Sequence, residues 1–354
     1  MTAQCVGRFF QTDGKYLARA YKEHLSDFKT WDQRSHAGKW VLVGENMGEY
    51  LCIDETLVHN TLLTFLTNRD KHCKRGSLIA SVEGTSIEDV SKQLMRIPEE
   101  KRLAVKEVTL DFSDSMMGIV KKVFPNARIV IDCFHIIQLA SRGLDEMRMK
   151  LKRIVRTEQN REERQFKKLV MLRSKNRARY ARTHIPRKSR NGKTLGRPRK
   201  RKNEKFEPLR LRNGETKLDL LTRVRYPLMK AGVEWSDHQK ERMKILFELD
   251  HRMRVGYGLV CALRNIFKKK QTRKRAKKAL KAWSRNVGKS LIRELISVRD
   301  TIMGKLEYVL NYFENRSTNA AAESFNSKIK GFRAQVHGVA DLPFFMYRLV
   351  KIFG

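Results

Sequence analysis

The chain has 354 residues, of which 76 are Lys or Arg and 38 are Asp or Glu, so its formal net charge is +38. The length favours one large domain or two ordinary ones, and the isoelectric point is near 10.3. This charge argues against most enzymes of small metabolites and favours a polyanionic partner, most commonly nucleic acid; a merely basic or ribosome-associated protein is the alternative. Hydrophobic residues make up 41% of the chain, which is enough for a folded core.

The cysteines and the apolar pattern indicate the cellular compartment. The five cysteines stand far apart without a Cys-x-x-Cys pair, which argues against a structural zinc site. Their odd number argues against a disulfide framework and indicates a reducing compartment. No stretch of about 18 apolar residues occurs, and the N-terminus has no apolar signal region. We therefore expect a cytoplasmic protein that does not enter a membrane. The cysteines are Cys5, Cys52, Cys73, Cys133 and Cys261.

The first half of the chain predicts an α/β fold. Residues 1–45 give only a weak pattern. Short apolar runs then predict strands over 50–53, 61–67, 78–82, 105–110 and 128–134. Apolar residues at helical spacing predict helices over 86–95 and 116–123, each followed by a proline. The order β-β-β-α-β-α-β predicts a mixed sheet with helices on both faces.

The second half of the chain is helical and strongly basic in its pattern, and no strand is predicted after His135. Residues 148–213 contain 26 Lys or Arg against 5 Glu. Within them, residues 186–205 are rich in Gly, Pro, Arg and Lys and are predicted to form a flexible loop. We predict an N-terminal segment over 1–45, a β-rich core over 46–135, an all-helical basic insertion over 136–315, and C-terminal core helices over 316–354.

Three acidic residues stand where a site could form. Asp54 and Asp111 follow predicted strands, and Glu323 lies one turn into a predicted helix. Carboxylates at strand ends can share a cleft beside the sheet, and such oxygen ligands suit magnesium or manganese. Two ions held there could serve phosphodiester chemistry, while the basic remainder of the chain holds a nucleic-acid backbone. Taken singly, an Asp at a strand end is more often a turn residue or a cap.

Four strings of residues are similar to those of a known family. They are Cys-Ile-Asp-Glu at 52–55, Asp-Phe-Ser at 111–113, Phe-Pro-Asn-Ala-Arg-Ile-Val-Ile-Asp-Cys-Phe-His at 124–135 and Thr-Asn-Ala-Ala-Ala-Glu-Ser-Phe-Asn-Ser-Lys-Ile-Lys at 318–330. Their order and spacing resemble the DDE transposases of the bacterial ISL3 insertion-sequence family, over roughly residues 45–354.

The resemblance implies an RNase H-like catalytic core interrupted by a large all-helical insertion before its final helix. It implies Asp54, Asp111 and Glu323 as the catalytic triad that binds two magnesium or manganese ions. The string from Asp132 to His135 resembles a D-x-x-H signature found in this and in Mutator-like transposases. Trp283 stands where such insertions often carry a tryptophan.

Several of these positions allow two interpretations. Asp114 lies three residues after Asp111, but Asp111 directly follows the apolar strand, as the family pattern requires, and is the predicted ligand. Glu55 should face away from the first acid if the strand continues through both. His135 could orient DNA or the scissile phosphate, or could pack at the start of a helix. Trp283 could stack on a flipped base or belong to a helix core.

Three basic segments are candidates for binding DNA. Residues 195–200 contain the Gly-Arg-Pro core of an AT-hook, whose Arg197 and Arg199 could enter an A·T-rich minor groove. A solvated loop that touches phosphates without base preference is the alternative. The other candidates could contact the DNA backbone or could be ordinary helix-surface charge. They are Lys268, Lys269, Lys270, Arg273 and Lys274 in a basic cluster, and Lys328, Lys330 and Arg333 after the third acid.

The resemblance implies a transposase that hydrolyses phosphodiesters at the ends of its insertion sequence and joins the freed 3′-hydroxyls to target DNA. Double-stranded DNA is the implied partner, nucleoid association in a bacterium is expected, and so is a homo-oligomer acting on paired ends. The family's usual N-terminal zinc finger and helix-turn-helix are not recognisable before the predicted core. Either a separate polypeptide supplies recognition of the element ends, or the chain is a split or truncated copy. A catalytically inactive, transposase-derived DNA-binding protein is the alternative. An RNase H-like nuclease or junction resolvase is a weaker one, because those proteins lack so large an insertion.

Overall fold

The computed structural model describes residues 3–183, 190–192, 205–336 and 338–354 of the chain. Six strands of this part form one sheet with the order β1-β4-β3-β2-β5-β6. Strands β1, β4, β3 and β2 pair antiparallel, whereas β5 runs parallel to β2 and β6 runs parallel to β5. The predicted mixed sheet is therefore confirmed. The strands are β1 (Trp40–Leu42), β2 (Tyr50–Val58), β3 (Thr61–Asn68), β4 (Leu78–Glu83), β5 (Glu107–Leu110) and β6 (Arg128–Ile131).

Three strands differ from the sequence prediction. β1 is only three residues long and pairs only with β4, too short a run to stand out in the sequence. β2 continues to Val58 because it pairs with β3 along its length, and the hairpin turns at His59 and Asn60 with φ of 46° and 61°. Asp54 therefore lies inside a strand rather than at its end, which corrects the prediction. β6 ends before Cys133, where a helix begins.

The described residues also form helices before, between and after the strands. The two helices predicted between strands are confirmed as α3 and α5, whose N-terminal N–H groups donate to the side chains of Ser86 and Ser113. The helices are α1 (Ala3–Phe9), α2 (Gly14–Ala20), α3 (Ile87–Leu94), α4 (Glu99–Leu103), α5 (Asp114–Val123), α6 (Cys133–Thr183), α7 (Lys217–Arg223), α8 (Arg225–Met229), α9 (Asp237–Leu249), α10 (His251–Lys268), α11 (Arg273–Ser290), α12 (Arg293–Gly304), α13 (Leu306–Asn315), α14 (Ala320–Gln335) and α15 (Leu342–Phe353).

Buried apolar side chains cover both faces of the sheet. On one face, Phe325 of α14 packs edge-on against Phe65 of β3 and Phe353 of α15, with ring centroids 5.7 and 5.1 Å away. Leu66 follows Phe65 along β3, so it lies on the opposite face, and it is equally buried. Helices α3 and α5 pack against β4 and β5. This packing holds α14 against β2, the strand that carries Asp54.

Contacts divide the chain into two compact units. The first consists of Met1–Gln138, Asn265–Ser284 and Asp300–Gly354 and contains the sheet. The second consists of Leu139–Arg264 and Arg285–Arg299. Contacts thus group residues 265–284 and 300–315, which lie in the predicted helical insertion, with the sheet. The predicted domain boundaries themselves stay a prediction.

The second unit is helical, as the basic half of the sequence predicts. Among its described residues, the β-structure amounts to one isolated bridge between Arg210 and Thr216. The buried Arg148 of α6 donates to the carbonyl of Leu221 in α7 over 2.8 Å and to Asp145 over 2.7 Å. No helix in the described part of the chain combines the length and the apolar character that crossing a bilayer requires.

Candidate active site

The sheet brings two of the three predicted acids side by side. In the parallel pairing of β2 with β5, Cys52 lies opposite Thr109. Asp54 and Asp111 each lie two residues further along their chains, so their side chains leave the same face. They are close enough to repel one another. Burial, and after it the charge of Asp111, raises the pKa of Asp54 to about 7.

Helix α14 supplies the third acid. Asn319, Glu323 and Asn326 follow one another at spacings of four and three, which the helical period places on one face. The neighbouring Phe325 is buried against the sheet and fixes the rotation of the helix. Burial and the charge of Asp132 raise the pKa of Glu323. Its side chain is 47% exposed, so Glu323 faces the solvent-accessible side of the cluster.

The carboxamide of Asn326 orients Asp54. Its Nδ2 donates to Oδ2 of Asp54 over 2.7 Å, and the backbone N–H of Glu55 donates to Oδ1 of Asp54 over 2.8 Å. Both carboxylate oxygens of Asp54 are thus held by uncharged donors. Oδ1 of Asn326 is buried and has no hydrogen-bond partner among the described residues. An unpaired buried acceptor costs free energy that a bound ion or donor would recover.

Asp132 is a buried acid that joins the start of α6 to the start of α14. It is only 2% exposed. Its Oδ1 accepts from the N–H of Phe134 over 3.1 Å, and its Oδ2 accepts from the N–H of Asn319 over 3.2 Å. Asn319 in turn donates through Nδ2 to Oδ1 of Asp111 over 3.2 Å. Asn319 therefore links two acids that belong to different strands.

His135 lies among the acids, in the first turn of α6. Its Nε2 is 2.8 Å from Oδ1 of Asp111 and 3.7 Å from Oε1 of Glu323. The contact with Asp111 is an ion pair when the imidazole is protonated. Burial lowers the pKa of His135, but Asp111 and the charges of Asp132 and Glu323 outweigh burial and raise that pKa overall.

A buried ion-pair network holds the chain that leads into α14. Glu107 of β5 is fully buried and pairs with Arg69 and Arg128, each at 2.8 Å. Asn315 donates to Glu107 over 3.1 Å, and Ser317 also hydrogen-bonds to its carboxylate. Burial would raise the pKa of Glu107, but these hydrogen bonds and the Arg69 charge lower it. The network thereby positions the residues just before Asn319.

The ligand set fits a divalent cation. Ligand atoms of Asp132, His135 and Glu323 all lie within 4.8 Å of one another. Carboxylate oxygens suit magnesium and manganese, and imidazole suits transition metals. Burial, and after it the charge of Asp132, raises the pKa of Glu323. The Oδ1 atoms of Asn319 and Asn326 are buried and have no hydrogen-bond partner among the described residues. A bound cation would relieve the repulsion between the acids.

The structure separates the acids of the cluster from their sequence neighbours. Asp114 begins α5 with a side chain that is 89% exposed, and it pairs with Lys305 at 2.7 Å. Glu55 is exposed on the next position of β2, facing away from Asp54, as strand alternation predicts. Trp283 of α11 is 3% exposed, so a base could reach it only after a rearrangement, and stacking stays a prediction.

The predicted DNA-binding residues differ in their exposure and in whether they pair with other groups of the protein. Arg273 is engaged by Glu307 and Glu314 of α13, at 2.6 and 3.0 Å. Lys328 donates to the carbonyl of Cys73 over 2.8 Å. Arg197 and Arg199 lie outside the described residues. DNA binding by any of these residues stays a prediction. The exposed candidates are Lys268, Lys269, Lys270, Lys274, Lys328, Lys330 and Arg333.

Two site residues, Asn319 and Asn326, escaped sequence reasoning. The signal was present in their positions, four residues before and three residues after Glu323. The helical period puts such residues on one face. Spacing alone does not single them out, because an amide side chain has many structural uses and carries no charge.

Comparison with known proteins identifies the family. A family model described as "Transposase", that of the ISL3-type DDE transposases, matches residues 51–191 and 182–349. The matched stretches together cover well over half of the chain and include all three acids. No curated protein and no solved structure matches the chain. On the family match, the chain belongs to the ISL3 family of transposases.

Proposed function

We propose that the protein is a metal-dependent transposase that cleaves DNA at the ends of an insertion sequence and transfers the freed strands to target DNA. The observation that carries this proposal is the convergence of Asp54, Asp111 and Glu323 around His135. Burial, and after it the charge of Asp111, makes ionised Asp54 unfavourable in the metal-free fold and raises its pKa to about 7. Perturbed carboxylates gathered in this way are typical of functional sites.

We also propose that the sheet is an RNase H-like core. The support is the strand order, in which β2, β3 and β4 form a consecutive antiparallel meander. β5 and β6 then add in parallel on the other side of β2. The acids in this arrangement come from the central strand β2, from the residue after β5, and from a helix near the C-terminus.

In this proposal the acidic side chains bind metal ions and the asparagine side chains orient the acids. Divalent ions, when bound, would activate the attacking water or 3′-hydroxyl and stabilise the leaving oxygen. Asp54, Asp111 and Glu323 would hold them. Asn326 fixes the carboxylate of Asp54, and Asn319 fixes that of Asp111. Because the acids serve as ligands, no side chain is required to form a covalent intermediate with DNA.

The basic side chains on α14 support DNA as the substrate. Lys330 stands seven residues after Glu323, on the same face and about 10 Å along the helix axis. It is exposed, as is Arg333, which lies three residues or nearly one turn beyond it. DNA phosphates bound along this face would approach the acids, and the lysine and arginine side chains would neutralise the charge of the phosphates. The chain's net charge of +38 supplies attraction beyond this helix.

A strand-transfer assay tests the proposal. It uses full-length protein, labelled DNA carrying the ends of the element that encodes it, and Mn²⁺ or Mg²⁺. We expect joined products from the wild type and from Glu55→Gln, whose side chain faces away from the cluster. Glu323→Gln should give none, since a neutral amide is a poor ligand for these ions.

The same assay addresses the predicted recognition partner. Products that require the polypeptide of an adjacent upstream reading frame would support the split arrangement. Tight DNA binding without joined products, with or without that polypeptide, would instead support the inactive DNA-binding protein. A homo-oligomer on paired ends stays a prediction until the assembly on DNA is measured.

A further inference from the structure

A second set of ligands overlaps the predicted triad without coinciding with it. Asp132, His135 and Glu323 present atoms that all lie within 4.8 Å of one another, and of these only Glu323 belongs to the triad. Asp132 and His135 come from the start of α6, so one helix N-terminus supplies two of the three groups. Asp54 and Asp111, by contrast, offer oxygen ligands only.

Hydrogen bonds orient the carboxylate of Asp132 and leave it able to bind a ligand. Each of its oxygens accepts one backbone hydrogen bond, from Phe134 and from Asn319. The thiol of Cys133 also hydrogen-bonds to Asp132. A carboxylate has about four lone-pair sites, so acceptor capacity remains after these three hydrogen bonds. The side chain is 2% exposed, and a buried carboxylate without a cationic partner is costly.

An unpaired buried oxygen at the same place points independently to a ligand. Oδ1 of Asn319 has no hydrogen-bond partner in the described part of the chain. Asn319 is fully buried, and its Nδ2 already donates to Asp111. Nε2 of His135 lies 2.8 Å from Oδ1 of Asp111 and 3.7 Å from Oε1 of Glu323. The amide oxygen and a neutral imidazole nitrogen are both competent metal ligands beside these carboxylates.

We propose that Asp132, His135 and Glu323 form a cation site that prefers a first-row transition-metal ion such as Mn²⁺ over Mg²⁺. The imidazole carries this preference, because Mg²⁺ favours an all-oxygen shell whereas nitrogen ligands favour transition metals. The ion nearest Glu323 would thus differ in chemistry from the ion between Asp54 and Asp111. The inference rests on the proposed function only in sharing Glu323.

Electron spin-echo spectroscopy of Mn²⁺ bound to the full-length protein tests this directly, since nitrogen coordination gives a ¹⁴N modulation. We expect that modulation in the wild type and in His238→Gln, which removes an exposed histidine on α9. His135→Gln should lose it. Excess Mg²⁺ should displace Mn²⁺ from the oxygen-only position and leave the nitrogen-coupled signal. Wild-type protein without ¹⁴N modulation, or complete displacement by Mg²⁺, would overturn the proposal.

Two further variants keep the result interpretable. Asp132→Asn should weaken nitrogen-coupled Mn²⁺ binding by roughly tenfold or more, and unchanged binding would contradict the site even if His135→Gln fails to fold. Asp54→Asn should retain the ¹⁴N modulation. Nitrogen-coupled Mn²⁺ without any strand transfer would mean that the cation site exists and the proposed function is wrong. Strand transfer by a protein whose bound Mn²⁺ shows no nitrogen coupling would mean that the proposed function is right and the cation site is wrong.

Discussion

Replacing Asp54 by asparagine should stabilise the metal-free protein. The pKa of Asp54 is raised from 3.8 to about 7, first by burial and then by the charge of Asp111. At about 1.4 kcal/mol for each pH unit between the two values, the cost of ionising Asp54 in the fold is at most roughly 4–5 kcal/mol. Solvent access and the retained polarity of an amide reduce this, and we expect a gain of about 1–2 kcal/mol, or roughly 2–5 °C.

The difference in stability between Asp54→Asn and the wild type depends on pH. Unfolded Asp54 loses its proton near its ordinary pKa, whereas folded Asp54 keeps it until about pH 7. The folded state binds more protons between these values, so this group's contribution to stability falls as pH rises through the interval. The stability of Asp54→Asn should therefore equal that of the wild type near the ordinary pKa of an aspartate. It should exceed that of the wild type most above about pH 7.

Thermal unfolding in the presence of a chelator, followed by calorimetry over a pH series, measures the effect. Glu55→Gln is the matched control, since it removes the neighbouring exposed carboxylate and should shift the melting temperature by little at any pH. Added Mn²⁺ should raise the melting temperature of the wild type more than that of Asp54→Asn. A variant no more stable than the wild type above neutral pH, or a gain independent of pH, would refute the reasoning.

Three further predictions concern the surroundings of the cluster. Glu107→Gln should cost about 3–5 kcal/mol in urea unfolding, because it leaves Arg69 and Arg128 without their buried carboxylate; a loss below about 1 kcal/mol would mean that the network is unimportant. Phe325→Ala should cost about 3–5 kcal/mol by the same measurement, because its ring is buried between two others, and full stability would contradict the packing. Asn326→Asp should lower the melting temperature of the metal-free protein more above neutral pH than in acid, because it adds a carboxylate beside Asp54; equal loss at all pH values would contradict the contact.

Much of the sheet could be predicted because its signals are local. The apolar runs that gave β2 to β6 and the helical spacing of α3 and α5 are readable within ten residues of sequence. β1 could not be read, since three residues carry no period and the strand exists only through its pairing with β4. The full length of β2 was missed for a similar reason, since polar residues at its far end are held by pairing with β3.

The sequence alone determined the family, the mixed α/β class and the basic character, and it predicted the three acids as ligands, because composition, period and motif strings are properties of short stretches. Tertiary structure alone decided how the acids are held. Asn326 meets Asp54 across 272 positions, and Asn319 meets Asp132 across 187. The tertiary structure also pairs Arg273 with acidic residues of α13 and leaves Lys330 exposed. Partners so far apart come together only through the packing of α14 on the sheet, and no local period or residue type encodes which of them will meet.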